Sequence, residues 1–341
     1  MSKRWRYTMR RWRVKRCISA LVICLIGSML LSGCGDSDAE RYWQDYHHTL
    51  ASALALDPIP RDAPGNIGAF PERRARLFDI PEIRQGFLGI YALRECRITA
   101  LVAAHNNQLG RVAPPSQQWL YERELWQRLS GCWNTAVPEG LAAGDRQRLR
   151  RLTLTKTQQL PYVSWNALFD SNEWEKSFAR ASRPVDFTRV DIHPSIEAVN
   201  YLQQMVRHQF SRTWEQDSAK LEQQLKTLRK RPLTAQTLRT LMLATQRLNE
   251  ATAALNTASP TRCLPVWPPG YITTTRHSAK RWLTAVDALF DSLPVSSPRA
   301  IRTYRKRWLS LDNPRAPWQA FQATLIKHHA ARLRFRLCRN E

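Results

Sequence analysis

Glycine is scarce in this chain, and the residue pairs that build tight β-hairpins are missing. Only 12 of the 341 residues are glycine, none lies between Gly144 and Gly270, and neither Asn-Gly nor Asp-Gly occurs. Two-residue hairpins favour such pairs, so the sequence contains no signal for a sheet. Apolar residues instead recur at steps of three and four, the period of one helical face. We therefore predict an all-α protein that folds as a multi-helix bundle.

Motifs that carry common catalytic or metal chemistry are also absent. There is no Cys-x-x-Cys and no His-Glu-x-x-His, so a zinc site is not indicated. Two pairs of adjacent histidines occur, His47-His48 and His328-His329, but neighbours on a helix point about 100° apart and do not readily share one ion. Gly-x-Ser-x-Gly, Ser-x-x-Lys and a Gly-Lys-Ser/Thr loop are missing as well. We expect no metal and no cofactor.

The first 33 residues contain eight Lys or Arg and no Asp or Glu. A basic segment is followed by an apolar run over residues 17–31 and then by the sequence Leu31-Ser32-Gly33-Cys34. This is the order of a secretory signal peptide, and it resembles the bacterial lipoprotein kind, in which Leu-Ser-Gly-Cys is the lipobox. The resemblance implies cleavage before Cys34 and attachment of lipid to Cys34. The apolar run is short for a permanent transmembrane helix, which needs roughly 20 residues.

The charge and the residue after Cys34 suggest where the exported chain would reside. Without residues 1–33 the chain has 44 basic and 28 acidic residues, a net charge of about +16. In the cytoplasm such a balance would suggest nucleic acid, but outside the inner membrane it fits anionic lipid or lipopolysaccharide phosphates better. Gly35 occupies the position where Asp marks retention in the inner membrane. We expect a lipid anchor on the periplasmic face of the outer membrane, with the inner membrane as the alternative, and no nucleic-acid partner.

Seven cysteines are present, and the predicted processing divides them into two groups. Cys17 and Cys24 would leave with the signal peptide, and Cys34 would carry the lipid. Four would remain, namely Cys96, Cys132, Cys263 and Cys338. An even remainder in an oxidising compartment indicates two disulfides with three possible pairings. We predict the pairs Cys96–Cys132 and Cys263–Cys338, because the members of each pair are neighbours among the four cysteines along the chain. Buried free thiols are the alternative.

Residues 34–341 form one helical domain in our interpretation, with a candidate subdivision near residue 185. The clearest helices are an apolar pattern from Ile196 to Leu228 and a second from Thr234 to Leu255. They predict a long central αα-hairpin, whose first helix would measure about 54 Å at 1.5 Å per residue if unbroken. Further helices are predicted over residues 39–56, 81–108, 116–133, 145–159, 274–292, 298–310 and 316–338. Residues 162–169 form a short apolar segment, and one or two helical turns are predicted over 172–181.

Short segments around the first cysteine pair carry a family resemblance. Glu95-Cys96, the run Asn-Gln-Leu-Gly-Arg-Val over 107–112, residues 120–122 and Cys132 resemble a family of uncharacterised proteobacterial lipoproteins of unknown function. The resemblance brings no function with it, but it implies that the polar cluster there is important. The candidate site comprises Asn107, Gln108, Arg111, Tyr121 and Glu122. It is either a ligand or partner contact at a helix end, or a cap that satisfies the last helical carbonyls.

The C-terminal region is basic, and it offers a further candidate surface. Its cations could form a face near an anionic membrane, and a merely solvated face is the alternative. They are Lys327, Arg332, Arg334, Arg336 and Arg339, together with Arg302, Arg305, Lys306 and Arg307 of the preceding helix.

The leading hypothesis for function is a non-enzymatic scaffold or interaction protein of the cell envelope. A hydrolase or lyase of cell-wall glycan is one alternative, because two carboxylates suffice for that chemistry. A binder of a small ligand between helices is another. A scaffold protein predicts flat or grooved surfaces without converging acids. A glycan hydrolase or lyase predicts a cleft with a buried carboxylate of raised pKa, and a small-ligand binder predicts a closed apolar pocket.

Overall fold

The structure is a computed structural model that describes residues 37–83, 86–267 and 269–338. The predicted signal peptide and the predicted lipidation site at Cys34 lie outside these residues. Among the helices that are described, none is both long enough and apolar enough to cross a membrane.

Helices dominate the described residues, which confirms the predicted all-α class. The long helices pack side by side, with α6 against α8, α12 against α15 and α10 against α13. A 3-10 turn covers Arg94–Cys96, and a π-helical turn over Arg305–Leu309 follows α14. In chain order the α-helices are α1 (Asp38–Leu54), α2 (Arg73–Arg76), α3 (Phe87–Tyr91), α4 (Thr99–Asn106), α5 (Gln108–Arg111), α6 (Pro115–Trp133), α7 (Val137–Gly140), α8 (Ala143–Phe169), α9 (Asn172–Ser177), α10 (His193–Arg207), α11 (Ser218–Arg229), α12 (Leu233–Thr257), α13 (Gly270–Ser292), α14 (Arg299–Tyr304) and α15 (Pro317–Arg332).

Helix α12 lies within the main core because its apolar residues repeat at helical spacing. Leu238, Leu241 and Leu248 have no solvent exposure, as their spacing predicts. Trp282 of α13 is buried in the same core and donates its indole N–H to Thr234 Oγ1 over 3.2 Å. Because that hydrogen bond satisfies the only polar group of the ring, the full apolar surface of the tryptophan can be buried without an unpaired donor.

The first arm of the predicted αα-hairpin is two helices rather than one. Helix α10 ends at Arg207 and α11 begins at Ser218. The guanidinium group of Arg123, a residue without solvent exposure, donates to three backbone carbonyls of the connection, those of His208, Ser211 and Trp214. Those carbonyls are available because the helix is interrupted, and the buried cation needs them as partners. The prediction of a single helix of about 54 Å is therefore wrong.

Two further helix predictions were wrong in opposite directions. The helix predicted over 81–108 is divided into α3, the 3-10 turn and α4, and Arg97 after the turn has a φ of 56°, which no helix continues through. A helix was predicted to end at Gln159, before Pro161, but α8 runs through the proline without a break. Proline removes one helical hydrogen bond, and burial of Leu160 and Trp165 beside it offsets that loss.

Both predicted disulfides are present. The Cα atoms of Cys96 and Cys132 are 5.2 Å apart, and those of Cys263 and Cys338 are 4.9 Å apart. The second bond aligns strands β1 (Cys263–Leu264) and β2 (Arg336–Leu337), which pair in parallel. This two-residue pair was not predicted, because it depends on a covalent link between segments far apart in the chain.

Candidate functional site

A large groove lies between a helical floor and an overlying wall. The floor consists of α6 and α8, and the wall consists of residues 73–83 and 86–113. The groove encloses about 1450 Å³. Its middle is apolar, and the lining side chains there are Leu125, Leu129 and Leu152 from the floor and Ile90, Ile98 and Val102 from the wall. The Cys96–Cys132 disulfide joins the wall to the floor beside these residues.

Two ion pairs line the groove. Lys156 Nζ lies 2.9 and 2.6 Å from the two carboxylate oxygens of Glu122, and both side chains are less than one-fifth exposed. Arg73 holds Asp170 through two bonds of 2.6 Å, in a bidentate geometry. Such charge-assisted bonds are stronger than neutral ones. The acids on the floor therefore already have cationic partners within the protein.

An aromatic pair separates the groove from a second depression. The rings of His105 and Tyr121 stack with centroids 3.8 Å apart and planes inclined by 11°. Burial raises the pKa of Tyr121, and the neighbouring Glu122 raises it further, so the hydroxyl keeps its proton. The second depression, of about 810 Å³, is lined by the same two rings and by Arg212 and Trp214. Groove and depression thus adjoin across one pair of side chains.

The wall exposes large apolar side chains to solvent. They belong to α3, α5 and the residue after α5, and they are Phe87, Leu88, Tyr91, Leu109 and Val112. Leu88 and Leu109 are about four-fifths exposed, at 81% and 80%. Scattered apolar residues are normal at protein surfaces. Here three lie within one five-residue helix and two more lie in or directly after α5, and larger exposed apolar patches commonly mark a binding site.

Close packing within the wall explains one glycine. Helix α5 begins directly after α4, and Asn107 caps it by accepting from the backbone N–H of Gly110 over 2.8 Å. A Cβ atom on Gly110 would lie 2.3 Å from the carbonyl oxygen of His105. No side chain fits there without a shift of the backbone, so glycine permits α5 to fold back onto the end of α4.

The structure brings part of the predicted polar site together. Arg111, Tyr121 and Glu122 line the groove. Asn107 and Gln108 are exposed and do not line it; Asn107 is the cap of α5 described above. Asn107 caps the start of α5 by accepting from an N–H, whereas the sequence interpretation had side chains that satisfy the last carbonyls of a helix. The ligand or partner contact stays a prediction.

Sequence reasoning missed the partners of these residues. Lys156, Arg73 and Asp170 were not included in the candidate site, although they supply the ion pairs of the groove. The sequence does contain a signal for Lys156. Residues 152, 156, 159 and 163 follow one another at steps of four, three and four, so they lie on one face of α8. For Arg73 no comparable local signal exists, since its partner is 97 residues away.

The two histidine pairs lie elsewhere, and one member of each pair is buried. His47 Nε2 lies 2.9 Å from the carbonyl oxygen of Arg247. His328 contacts Thr252 Oγ1 through Nδ1, over 2.9 Å, and the hydroxyl of Tyr46 through Nε2. Burial lowers the pKa of His328 to about 3, and the nearby Arg332 contributes to the shift. In the part of the chain that is described, no three His, Cys, Asp or Glu side chains are placed to hold a metal ion.

Fold and groove together define a disulfide-linked helical protein with a large, partly apolar groove. The sequence profile of the family DUF3080, described as proteins of unknown function, matches residues 43–268. The match covers about two thirds of the chain and includes the whole groove, so the protein belongs to the DUF3080 family. Neither the curated proteins nor the solved structures contain a significant match to the chain.

Proposed function

We propose that this protein is a lipid-anchored interaction protein of the bacterial envelope, and that its groove binds a polypeptide segment of a partner. The observation that carries the proposal is the combination of a groove of about 1450 Å³ with five exposed apolar side chains along its wall. Protein interfaces are enriched in aromatic residues and arginine at their centres. The wall offers Phe87, Tyr91 and Arg111 for such contacts.

The size of the groove favours a polypeptide over a metabolite. Sites for small molecules typically enclose about 300–1,000 Å³, and the groove exceeds that range even without the adjoining depression. Its lining contains both apolar and charged residues. An occupant with side chains of both kinds, such as a helix or an extended segment, matches that lining better than a uniformly apolar ligand does.

The state of the acids favours binding over catalysis. A glycosidase needs one carboxyl group that is protonated and one that is free to act as nucleophile or base. Glu122 and Asp170 are instead bonded to Lys156 and Arg73 within the protein, so neither carboxylate is free to act as a nucleophile or base. For this reason the glycan hydrolase is the less favoured function.

The proposal places the protein outside the inner membrane, anchored through Cys34. Two observations support export, namely the order of the first 34 residues and the two disulfides, which persist in oxidising compartments. Radiolabelled palmitate should enter the wild-type protein and not the Cys34→Ala variant. Equal labelling of the two proteins would refute the lipid anchor at Cys34 but would leave the proposal about the groove unaffected.

The proposed binding is tested by affinity isolation from solubilised envelopes. Gln118 is exposed and lines the groove, so Gln118→Trp should block it; Leu154 is exposed on α8 and lies outside the lining, so Leu154→Trp is the matched control. We expect one stoichiometric partner with wild type and control, and its loss with Gln118→Trp. Equal recovery with both variants, once circular dichroism shows both are folded, would contradict the proposal.

A further inference from the structure

A second exposed apolar surface surrounds the Cys263–Cys338 disulfide. Four large apolar side chains there are between 60% and 73% exposed, and they are Val266, Ile326, Leu333 and Leu337. We call this group the C-terminal surface. It belongs to α15, to β2 and to the residues after β1, and so it shares no residue with the groove or its wall.

The helical part of this surface forms a continuous face. Ala323, Ile326, Ala330 and Leu333 are all exposed, and they follow one another at steps of three, four and three residues. That spacing places them along one side of α15 and its first following residue. None of the described helices covers them, and His328, on another side of α15, contacts Thr252 of α12. The face is therefore open to an outside surface.

Cations accompany the apolar residues, and acids are scarce. Lys327, Arg334 and Arg336 are exposed beside them, and Arg262 is exposed next to β1. No Asp or Glu occurs from residue 313 to residue 338, or from 251 to 267. One acid, Asp57, lies in the loop after α1, which packs nearby. The C-terminal surface is thus apolar at its centre and positively charged at its margin.

The surface is also held rigidly. The backbone N–H of Cys338 donates to the carbonyl of Leu264 over 2.9 Å, next to the disulfide. Arg332 is used internally, since it donates to the carbonyl of Pro265 and to the hydroxyl of Tyr46. Leu333 and Leu337 therefore flank fixed backbone, and little conformational entropy is lost when they contact a partner.

We infer that the C-terminal surface binds the surface of an anionic phospholipid bilayer. The apolar side chains would enter the boundary between headgroups and acyl chains, while the cations contact lipid phosphates, which is the arrangement of interfacial membrane-binding segments. Charge complementarity selects this occupant, because an apolar patch with a cationic margin and almost no acids matches an anionic lipid surface. The inference rests neither on the groove nor on Cys34.

The test measures whether the C-terminal surface itself enters the bilayer, so its result does not depend on how the N-terminus is anchored. The full chain carries an environment-sensitive fluorescent amino acid in place of Leu333 and is reconstituted into vesicles. The vesicles contain phosphatidylcholine alone or phosphatidylcholine with phosphatidylglycerol, and acyl-brominated lipid is the quencher. A chain labelled at Leu109, which is equally exposed on the wall, is the control.

We expect quenching of the label at 333 in the anionic vesicles only, and no quenching of the label at 109 in either. Each cation near an anionic surface contributes about fivefold to binding, so Arg334→Gln with Arg336→Gln should reduce insertion about twenty-five-fold. Arg150→Gln with Arg151→Gln, two exposed arginines on α8, should leave insertion unchanged. The inference is overturned if the label at 333 is not quenched, or if it is quenched equally without phosphatidylglycerol. It is also overturned if the fluorescence change of that label grows with protein concentration, which would indicate that a second copy of the chain covers the surface.

Discussion

The core around α12 and the wall of the groove use apolar residues in opposite ways. In α12 the apolar side chains face other helices, and Leu238, Leu241 and Leu248 have no exposed surface. In the wall, Leu88 and Leu109 remain about four-fifths exposed. Burial of apolar surface stabilises the core, whereas the wall leaves part of its own apolar surface in contact with water.

The two regions are also held in place differently. Around α12 the packing of long helices against each other is sufficient. The wall consists of short helices, from four to eight residues long in α2 to α5, and helices of that length are marginal without tertiary support. The Cys96–Cys132 disulfide and the bonds of Asn166 to the backbone of Phe78 supply that support. The comparison indicates that the core maintains the fold and the wall is the part available for binding.

The largest expected effect is on the core. Trp282→Ala should lower the free energy of unfolding by about 3–5 kcal/mol, because it removes a large buried ring and leaves a cavity. Denaturant unfolding measures the change. Leu109→Ala in the wall is the matched test of the other region, and it should change stability by about 0.5 kcal/mol or less. Equal losses in the two variants would contradict the division between core and wall.

Removal of the wall disulfide should have a smaller and more local effect. Cys96→Ser with Cys132→Ser opens a loop of 36 residues, which costs about 3–4 kcal/mol on the chain-entropy model. Hydrogen exchange should rise across residues 86–113 and stay unchanged in α12. Faster exchange throughout the molecule would show that the disulfide supports the whole fold rather than the wall.

Arg123 connects the floor of the groove to the break between α10 and α11. Arg123→Met keeps much of the apolar stem but removes the three charge-assisted hydrogen bonds to these carbonyls. The carbonyls then keep only neutral donors, the N–H of Ser211 for His208 and the side-chain amide of Gln127 for Ser211 and Trp214. Hydrogen bonds from a charged group are worth about 1.5–3 kcal/mol each, less whatever the remaining donors and water recover. We expect a loss of about 3 kcal/mol in denaturant unfolding. Arg150→Met, at an exposed arginine of α8, is the control. A loss no larger than that of the control would mean that Arg123 does not hold the break.

The last effect depends on pH and is the smallest of the series near neutral pH. His328 is neutral in the folded protein, because burial lowers its pKa to about 3, whereas an unfolded histidine titrates near about 6.5. Between these values the unfolded chain binds a proton that the folded chain does not. Stability is therefore complete above about pH 6.5 and falls by up to about 1.4 kcal/mol per pH unit as the pH decreases toward 3.

A comparison of neighbouring histidines checks this assignment. His328→Gln should flatten the pH dependence of urea unfolding in the acid range, while His329→Gln, on the exposed side of the same helix, should leave it as in wild type. The same slope in both variants would assign the pH dependence to other groups.

Local features were predictable from the sequence, and features that depend on distant partners were not. The period of α12 and the pairing of neighbouring cysteines required only the chain itself. The break after Arg207 was missed because Arg123 arrives from another helix. Glu122 was chosen for its place in a polar cluster, but its partner Lys156 lies 34 residues away, and only packing of α6 on α8 brings them together.

The most direct test of the central claim, that the wall is a binding surface, is photo-crosslinking in living cells. A photoreactive amino acid replaces Leu88 on the wall or Leu154 on the outer side of α8, both of which are exposed. The account predicts one discrete crosslinked product from position 88, its loss when Gln118→Trp fills the groove, and no product from position 154. The same products from both positions, or a product from position 88 that persists with Gln118→Trp, would contradict it.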